Sequence, residues 1–103
     1  MFRSRTHFFP KTLEAYSELM KAGEEYSKLA AEKGWAEGTF WTPVVGEMEV
    51  VAEFDYPDLA TYQRQLEEAY TEPRAMALMQ RLMSMEGTRT NYDELLSTAP
   101  SFA

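Results

Sequence analysis

Hydrophobic and polar positions alternate over residues 2–9 of the chain, which is the pattern of a β-strand with two unlike faces. One face carries apolar or small side chains, and the other carries Arg3, Arg5 and His7. Three cationic or titratable groups on one face indicate that this face meets either water or a partner that favours positive charge.

Apolar positions recur at spacings of three and four over residues 13–30, which predicts an amphipathic helix. Thr12 is placed to cap its N-terminus. Gly34 can end it in the left-handed conformation, with Trp35 folding back as the accompanying hydrophobic contact. Because Gly23 costs about 1 kcal/mol relative to alanine within a helix, we expect close packing against the sheet there.

The stretch 38–56 is typical of two strands joined by a tight turn, with Gly46 at the first central position of a type II′ hairpin. Pro43 lacks a backbone donor, which places the first of these strands at the sheet edge. The turn predicts that Trp41 lies opposite Ala52, on the face beneath the helices. It puts three apolar residues on the charged face: Phe40, Val44 and Val51.

The rest of the chain, from residue 57 onward, predicts a second helical region, which is interrupted by a break, and a last strand. Asp58 can cap the first helix, and Thr71 can cap a second one whose first turn contains Pro73. Gly87 is expected to end that helix, and residues 88–96 alternate again as a strand. The predicted order is therefore βαββαβ, an α+β fold in which a four-stranded antiparallel sheet carries its helices on one face. This is the ferredoxin-like arrangement, with the first strand between the third and the fourth.

A length of 103 residues is that of one domain, and we expect 1–103 to form it. The absence of cysteine and the presence of one histidine exclude zinc–thiolate and multi-histidine sites. No glycine-rich phosphate loop is present, so we expect neither a metal nor a cofactor. A net charge of −7 argues against nucleic-acid binding. We see no membrane-spanning stretch or signal peptide in the sequence and expect a soluble, cytoplasmic protein.

The predicted charged face collects Arg3, Arg5, His7 and Arg89 beside Glu49, Glu53, Asp55 and Asp93. We expect Arg3 and Arg5 to pair with Glu49 and Glu53 across the strands. A face that also carries apolar residues needs a cover, and the chain supplies no third layer. The sequence therefore predicts a homodimer through the face that bears Arg3, Arg5, His7, Phe40, Val44 and Val51.

The segment GEMEVVAEFDYPDLATYQRQLEEAYTEPRAMALMQRLM resembles the NIPSNAP-like branch of the dimeric α+β barrel superfamily. The resemblance lies in a glycine-bearing hairpin, an aromatic-rich helix start and an acidic-Pro break, here Gly46, Tyr56, Asp58, Leu59, Glu72 and Pro73. It implies that two sheets face each other as a closed barrel. Relatives in the superfamily include cofactor-free monooxygenases of polyketide quinones, haem-degrading enzymes and muconolactone isomerases. The haem-degrading pattern has no counterpart, because the one histidine is on the first strand.

Several residues are candidates for chemistry, and each has a structural alternative. His7 titrates near neutral pH and could be a general base, although a histidine on a charged strand is more often structural. Arginine is suited to hold a carboxylate, enolate or phenolate, unless internal carboxylates pair with it; the candidates are Arg3, Arg5 and Arg89. Aromatic residues could line an apolar pocket between sheet and helices, or could simply be core; they include Trp41, Tyr16 and Tyr62.

Three functions remain open from the sequence. The first is a NIPSNAP-like homodimeric domain that binds a small apolar or aromatic molecule, between sheet and helices or in the barrel. The second is a cofactor-independent monooxygenase or isomerase acting on an aromatic, polyketide-like substrate. The third is a purely structural homodimer.

Overall fold

A four-stranded antiparallel sheet with three helices forms the fold. The computed structural model describes residues 1–85 and 88–99, with the backbone alone for 88–92. Its elements are β1 (Phe2–Pro10), α1 (Leu13–Lys33), β2 (Gly38–Trp41), β3 (Val50–Tyr56), α2 (Leu59–Thr71), α3 (Pro73–Met83) and β4 (Thr88–Ser97). The strand order is β2-β3-β1-β4. The predicted ferredoxin-like arrangement, with the first strand between the third and the fourth, is confirmed.

Both ends of α1 form as the sequence predicts. The hydroxyl of Thr12 accepts a hydrogen bond of 3.0 Å from the backbone N–H of Ala15. Gly34 ends the helix with a φ of 70°, in the region that favours glycine. The backbone N–H of Trp35 then donates to the carbonyl of Ala30 at 2.9 Å, and the Trp35 side chain is buried.

The break between α2 and α3 is confirmed, but the cap of α3 is Glu72 rather than Thr71. Pro73 is the first helical residue, so the residue directly before it takes the capping position. The Glu72 carboxylate accepts from the backbone N–H of Arg74 at 3.3 Å. The helix stops at Met83, earlier than predicted, and Gly87 lies outside the described residues.

The connection between β2 and β3 differs from the predicted hairpin. β2 ends at Trp41 and β3 begins at Val50, so residues 42–49 form a loop instead of a two-residue turn. Because Pro43 cannot donate to the ladder, pairing stops before the glycine, and turn geometry no longer fixes the register. Gly46 does adopt a positive φ of 106° within this loop.

The pairing of β2 with β3 is shifted by one residue from the predicted register. Trp41 lies opposite Val51, and Phe40 lies opposite Ala52. A shift of one residue exchanges the two faces of a strand. Trp41 therefore lies on the side of the sheet away from the helices, which we call the outer face. Phe40 lies beneath the helices, so its predicted place at the partner-facing surface was wrong.

Two further predicted members of the outer face lie elsewhere. Val44 is 99% exposed in the loop and does not belong to the sheet. Asp93 pairs with Thr6 on the helix side, and Glu94, opposite Arg5, takes its place on the outer face. The prediction for β4 failed because polar residues occur in both alternating sets of this strand, so the pattern does not decide which set faces inward.

The core lies between the sheet and the helices, where aromatic rings fill the space. A Cβ on Gly23 would lie 3.1 Å from the ring of Phe40, which explains a glycine within α1. The ring of Phe54 packs edge-to-face against those of Phe40 and Tyr26, with centroids 6.5 and 5.5 Å apart. The buried apolar side chains are Phe9, Ala15, Leu19, Ala22, Leu29, Ala30, Trp35, Val50, Ala52, Ala69, Ala75 and Leu78.

None of the helices in the described ranges combines the length and the apolar character that crossing a membrane requires.

Candidate functional site

The outer face is built from rows of side chains that cross the strands, because opposite residues in antiparallel strands share a face. β1 supplies the cationic or titratable member of each row. Read across β1, β3 and β2, the rows are Arg3–Asp55, Arg5–Glu53–Thr39 and His7–Val51–Trp41. Charge is therefore concentrated in the first two rows, and the third row ends in an aromatic ring.

The two arginines of β1 are engaged differently. Arg3 forms a two-pronged pair with Asp55, with Nε 2.7 Å from Oδ1 and Nη2 3.0 Å from Oδ2. This hydrogen-bonded pair lowers the pKa of Asp55. Arg5 binds Glu53 through Nε alone, at 2.9 Å. Glu53 also lies 3.5 Å from Nε of Arg3, so it bridges both guanidinium groups. The predicted pairing with Glu53 is confirmed, whereas Glu49 has a different partner.

That partner is His7, which connects the 42–49 loop with β4. Its Nδ1 lies 2.7 Å from Oε1 of Glu49, and its Nε2 contacts Oε1 of Glu94. The imidazole is largely withdrawn from solvent, with 12% of the side chain exposed. Both ring nitrogens face carboxylate oxygens, which is the arrangement of an imidazolium that donates two hydrogen bonds.

Two opposing influences set the pKa of His7. Burial acts to lower the pKa and is the largest single influence, but the hydrogen bonds to Glu49 and Glu94 together outweigh it and raise the pKa above its ordinary value. A histidine that is held charged between two acids has no lone pair ready to accept a proton from a substrate. This geometry favours the structural alternative for His7 over a general base.

An open cavity of about 340 Å³ lies on the outer face. Its lining combines charged, titratable and apolar side chains, namely Arg3, Arg5, His7, Trp41, Val51 and Glu53. The Trp41 side chain is 56% exposed, which is unusual for so large an apolar group. The structure thus brings together four of the residues that the sequence singled out: Arg3, Arg5, His7 and Trp41.

The other predicted site residues do not join this cavity. Tyr16 is half-buried on α1. Tyr62, on α2, packs edge-to-face on Tyr56, with ring centroids 5.1 Å apart on the helix side of the sheet. Burial raises the pKa of Tyr56 to about 12, so its phenol is neutral at physiological pH. The side chain of Arg89 lies outside the described part of the chain.

A second depression, of about 390 Å³, lies between α1 and α3. Two ion pairs span it: Arg74 to Glu32 and Arg81 to Glu25, each at 2.7 Å. The hydrogen bond to Arg74 lowers the pKa of Glu32. These pairs join the two helices over the apolar floor, so we attribute the depression to helix packing rather than to ligand binding.

Sequence reasoning missed two features of the site. One is the pair of acids on His7, because Glu94 comes from a strand whose inward-facing set the pattern does not decide. The other is the position of Trp41, which depends on the register of β2. A signal for the second was present in Pro43, whose missing N–H argues against a ladder that continues to the glycine turn. Over the described residues, no group of three or more His, Asp or Glu side chains is arranged to hold a metal ion.

A scan of protein-family models gives no match to the chain. A search of curated proteins likewise gives none.

Solved structures, in contrast, match over nearly the whole chain. An uncharacterized NIPSNAP domain protein from Burkholderia xenovorans aligns with a TM-score of 0.73 at 19% identity, covering 100% of this chain and 98% of that one. An antibiotic biosynthesis monooxygenase aligns with a TM-score of 0.72 at 13% identity, covering 97% and 100%. A dimeric ferredoxin-like protein from an uncultured marine organism aligns with a TM-score of 0.69 at 14% identity, covering 99% and 90%.

These neighbours have the fold that the resemblance in the sequence implies. They include NIPSNAP domain proteins and monooxygenase-like proteins, and one of them is described as dimeric. At such low identity the likeness establishes the fold, and function has to be argued from the outer face itself.

Proposed function

We propose that the protein is a NIPSNAP-like homodimeric domain that binds a small apolar or aromatic molecule on the outer face of its sheet. In this proposal a second copy lies on the outer face, and the two sheets enclose the bound molecule as a barrel. The observation that carries the proposal is the open cavity of about 340 Å³, whose lining includes an aromatic side chain that is more than half exposed.

The composition of the outer face supports a second copy as its cover. Apolar side chains flank the charged rows: Trp41 and Val51 lie on one flank, and Leu96, opposite Arg3 on β4, lies on the other. Leu96 is 37% exposed in the single chain. Since all three helices lie on the opposite side of the sheet, the described chain leaves this mixed surface uncovered. A twofold contact would place each apolar flank against its counterpart.

The cavity lining supports a planar, largely apolar ligand. Val51 and Trp41 supply the apolar part of the lining, and Trp41 contributes an indole ring. Aromatic side chains bind flat molecules through offset or edge-to-face stacking. The other four lining residues are charged or titratable, and they can fix the orientation of a bound molecule.

A cofactor-independent monooxygenase is the competing function, and likeness to an antibiotic biosynthesis monooxygenase favours it. Oxygen uptake with an anthrone or a quinol as substrate tests it directly. The pairing of both ring nitrogens of His7 with acids argues for binding without turnover. Oxygen uptake that is abolished in Trp41→Phe would replace the binding proposal with the enzymatic one.

The experiment for the proposed function is a thermal-shift screen of planar aromatic compounds against aliphatic compounds of similar size. Binding to the native state raises the midpoint of unfolding. We expect aromatic compounds to raise it in the wild-type protein and not in Trp41→Ala. Tyr70→Ala is the matched control, because Tyr70 is 55% exposed on α2, away from the outer face, and should leave the shifts unchanged. Absence of any shift would favour the purely structural homodimer.

A further inference from the structure

Arg3 and Arg5 lie two positions apart on one strand, yet their hydrogen-bonding capacity is used differently. Arg3 directs Nε and Nη2 to the two oxygens of Asp55. Arg5 uses Nε for Glu53. Within the described residues, the terminal nitrogens of Arg5 make no hydrogen bond, although its side chain is only 35% exposed. A guanidinium presents five donors in a fixed fork, so each arginine keeps its terminal edge, formed by Nη1 and Nη2, which can bind a carboxylate through two parallel bonds. Arg5 is one row from Trp41 and Arg3 is two rows from it, so the edge of Arg5 is the nearer one.

The free edge of Arg5 belongs to the same cavity as the exposed indole. Arg5 and Trp41 both line it, and Val51 lies between their two strands. Neighbouring strands are about 4.8 Å apart, and successive rows on one face are about 7 Å apart. Arg5 and Trp41 stand two strands and one row from each other, so their backbones are separated by roughly 12 Å. That distance admits one ring system with a small polar substituent.

We propose, on the basis of the function proposed above, that the ligand is an aromatic carboxylate. Its ring packs over Val51 against Trp41, and its carboxylate accepts two hydrogen bonds from the terminal nitrogens of Arg5. Arg3 stays with Asp55 and positions Glu53, which in turn holds the Arg5 guanidinium through Nε. The class of ligand therefore follows from the open terminal edge of Arg5, the arginine that lies nearer to Trp41.

The acids on the outer face do not compete for this fork. Asp55 and Glu53 are held by the two arginines, and Glu49 and Glu94 are held by His7. Each carboxylate on the face thus already has a cationic or imidazole partner. The unfilled hydrogen-bonding capacity in the cavity is that of a donor, which selects an anionic acceptor over a cation.

The test compares 2-naphthoate with 2-naphthamide, which has the same ring and nearly the same shape but no charge, by titration calorimetry of the native protein. Acetate serves as a carboxylate without a ring. We expect 2-naphthoate to bind at least about tenfold more tightly than 2-naphthamide, since hydrogen bonds between two charged groups are stronger than those to a neutral acceptor. Acetate should bind more weakly than either.

The preference for the charged ligand should depend on Arg5. In Arg5→Gln the affinities for 2-naphthoate and 2-naphthamide should become similar. Arg64→Gln is the matched control, because Arg64 is exposed on α2 and does not line the cavity, and it should retain the preference. The mass of each variant in solution and its circular dichroism show whether the assembly persists. The Gln side chain in Arg5→Gln still carries N–H donors. A weak affinity for 2-naphthamide that survives in this variant would therefore show that the cavity is intact.

The outcomes separate the ligand class from the proposed function. Equal binding of the two naphthalenes by the wild-type protein would overturn the aromatic carboxylate and leave aromatic binding in place. A preference in Arg5→Gln as large as that in Arg64→Gln would also overturn it. If neither naphthalene binds, both the ligand class and the proposed function fail for ligands of this size.

Discussion

Nδ1 of His7 lies 2.7 Å from Oε1 of Glu49, so the central strand of the sheet holds the end of the loop that precedes β3. The other ring nitrogen contacts Glu94 on β4. One imidazole thereby joins three segments that are far apart in sequence. Its charge also offsets part of the acidity of the outer face, where Glu53 and Asp55 lie in neighbouring rows.

The His7 contacts predict that stability depends on pH near neutrality. Because the folded-state pKa of His7 is raised, its contribution is fully present below the ordinary imidazole pKa of about 6.5 and is lost as pH rises through the folded-state pKa. We expect wild type to exceed His7→Gln in stability at pH 5.5 and the difference to shrink toward pH 9. Urea unfolding at a fixed protein concentration measures it. A stability difference between the two proteins that is constant from pH 5.5 to 9 would contradict a charged His7 held between Glu49 and Glu94.

Gly38 predicts a packing limit beneath α1. A Cβ at this position would lie 2.7 Å from the ring of Phe54, which is itself held by the rings of Tyr26 and Phe40. Gly38→Ala should therefore destabilise the fold by about 1–3 kcal/mol, the usual cost of overpacking. Glu37→Ala, at an exposed position directly before the same strand, is the control and should change stability by less than about 0.5 kcal/mol. Similar effects of the two substitutions would show that Phe54 moves aside freely.

The side chain of Trp35 makes a hydrogen bond at the end of α1, and we expect its loss to lower the free energy of unfolding. Its indole Nε1 donates to Oε2 of Glu68 at 2.7 Å, and the ring is 7% exposed. Trp35→Phe removes the donor and part of the packing, so we expect a loss of about 1–3 kcal/mol in the free energy of unfolding. Glu68→Gln keeps an acceptor and should cost less. Chemical denaturation measures both losses. Free energies of unfolding equal to that of the wild type in both variants would contradict the prediction.

Glu72 predicts an unusually acidic carboxyl group. Hydrogen bonds from Lys33 and then Arg74 lower its pKa to about 2. Because the pKa is depressed, the contribution of Glu72 is present above the ordinary carboxyl pKa and is lost as pH falls toward 2. A carbon NMR titration should give this midpoint in the wild type and a higher one in Lys33→Met. A midpoint near 4 in the wild-type protein would show that the pairs do not persist in solution.

The parts of the fold that sequence predicted well are those set by local chemistry. Thr12, Gly34 and Asp58 act on backbone groups within a few residues, so their effect can be inferred from the chain alone. The break before α3 is equally local, because Pro73 restricts the residue that precedes it. Only the identity of the cap was wrong, by one position.

The register of β2 against β3 could not be inferred in the same way. The register depends on the residue at which the loop begins. A shift of one residue exchanges the faces on which Trp41 and Phe40 lie. The composition of the candidate site could not be inferred in full for the same reason. The sequence identified Arg3, Arg5 and His7 as neighbours on β1, but the acids that engage them come from strands whose alignment is a tertiary property.

The central claim is that the outer face meets a second copy of the chain. Light scattering during gel filtration, at low and high salt, measures the mass in solution. We predict about twice the 11.9 kDa of one chain for the wild type. Val51→Glu adds an unpaired acid to an apolar flank of the outer face and should give a mass of one chain, with unchanged circular dichroism. A wild-type protein that remains at the mass of one chain at micromolar concentration would contradict the claim.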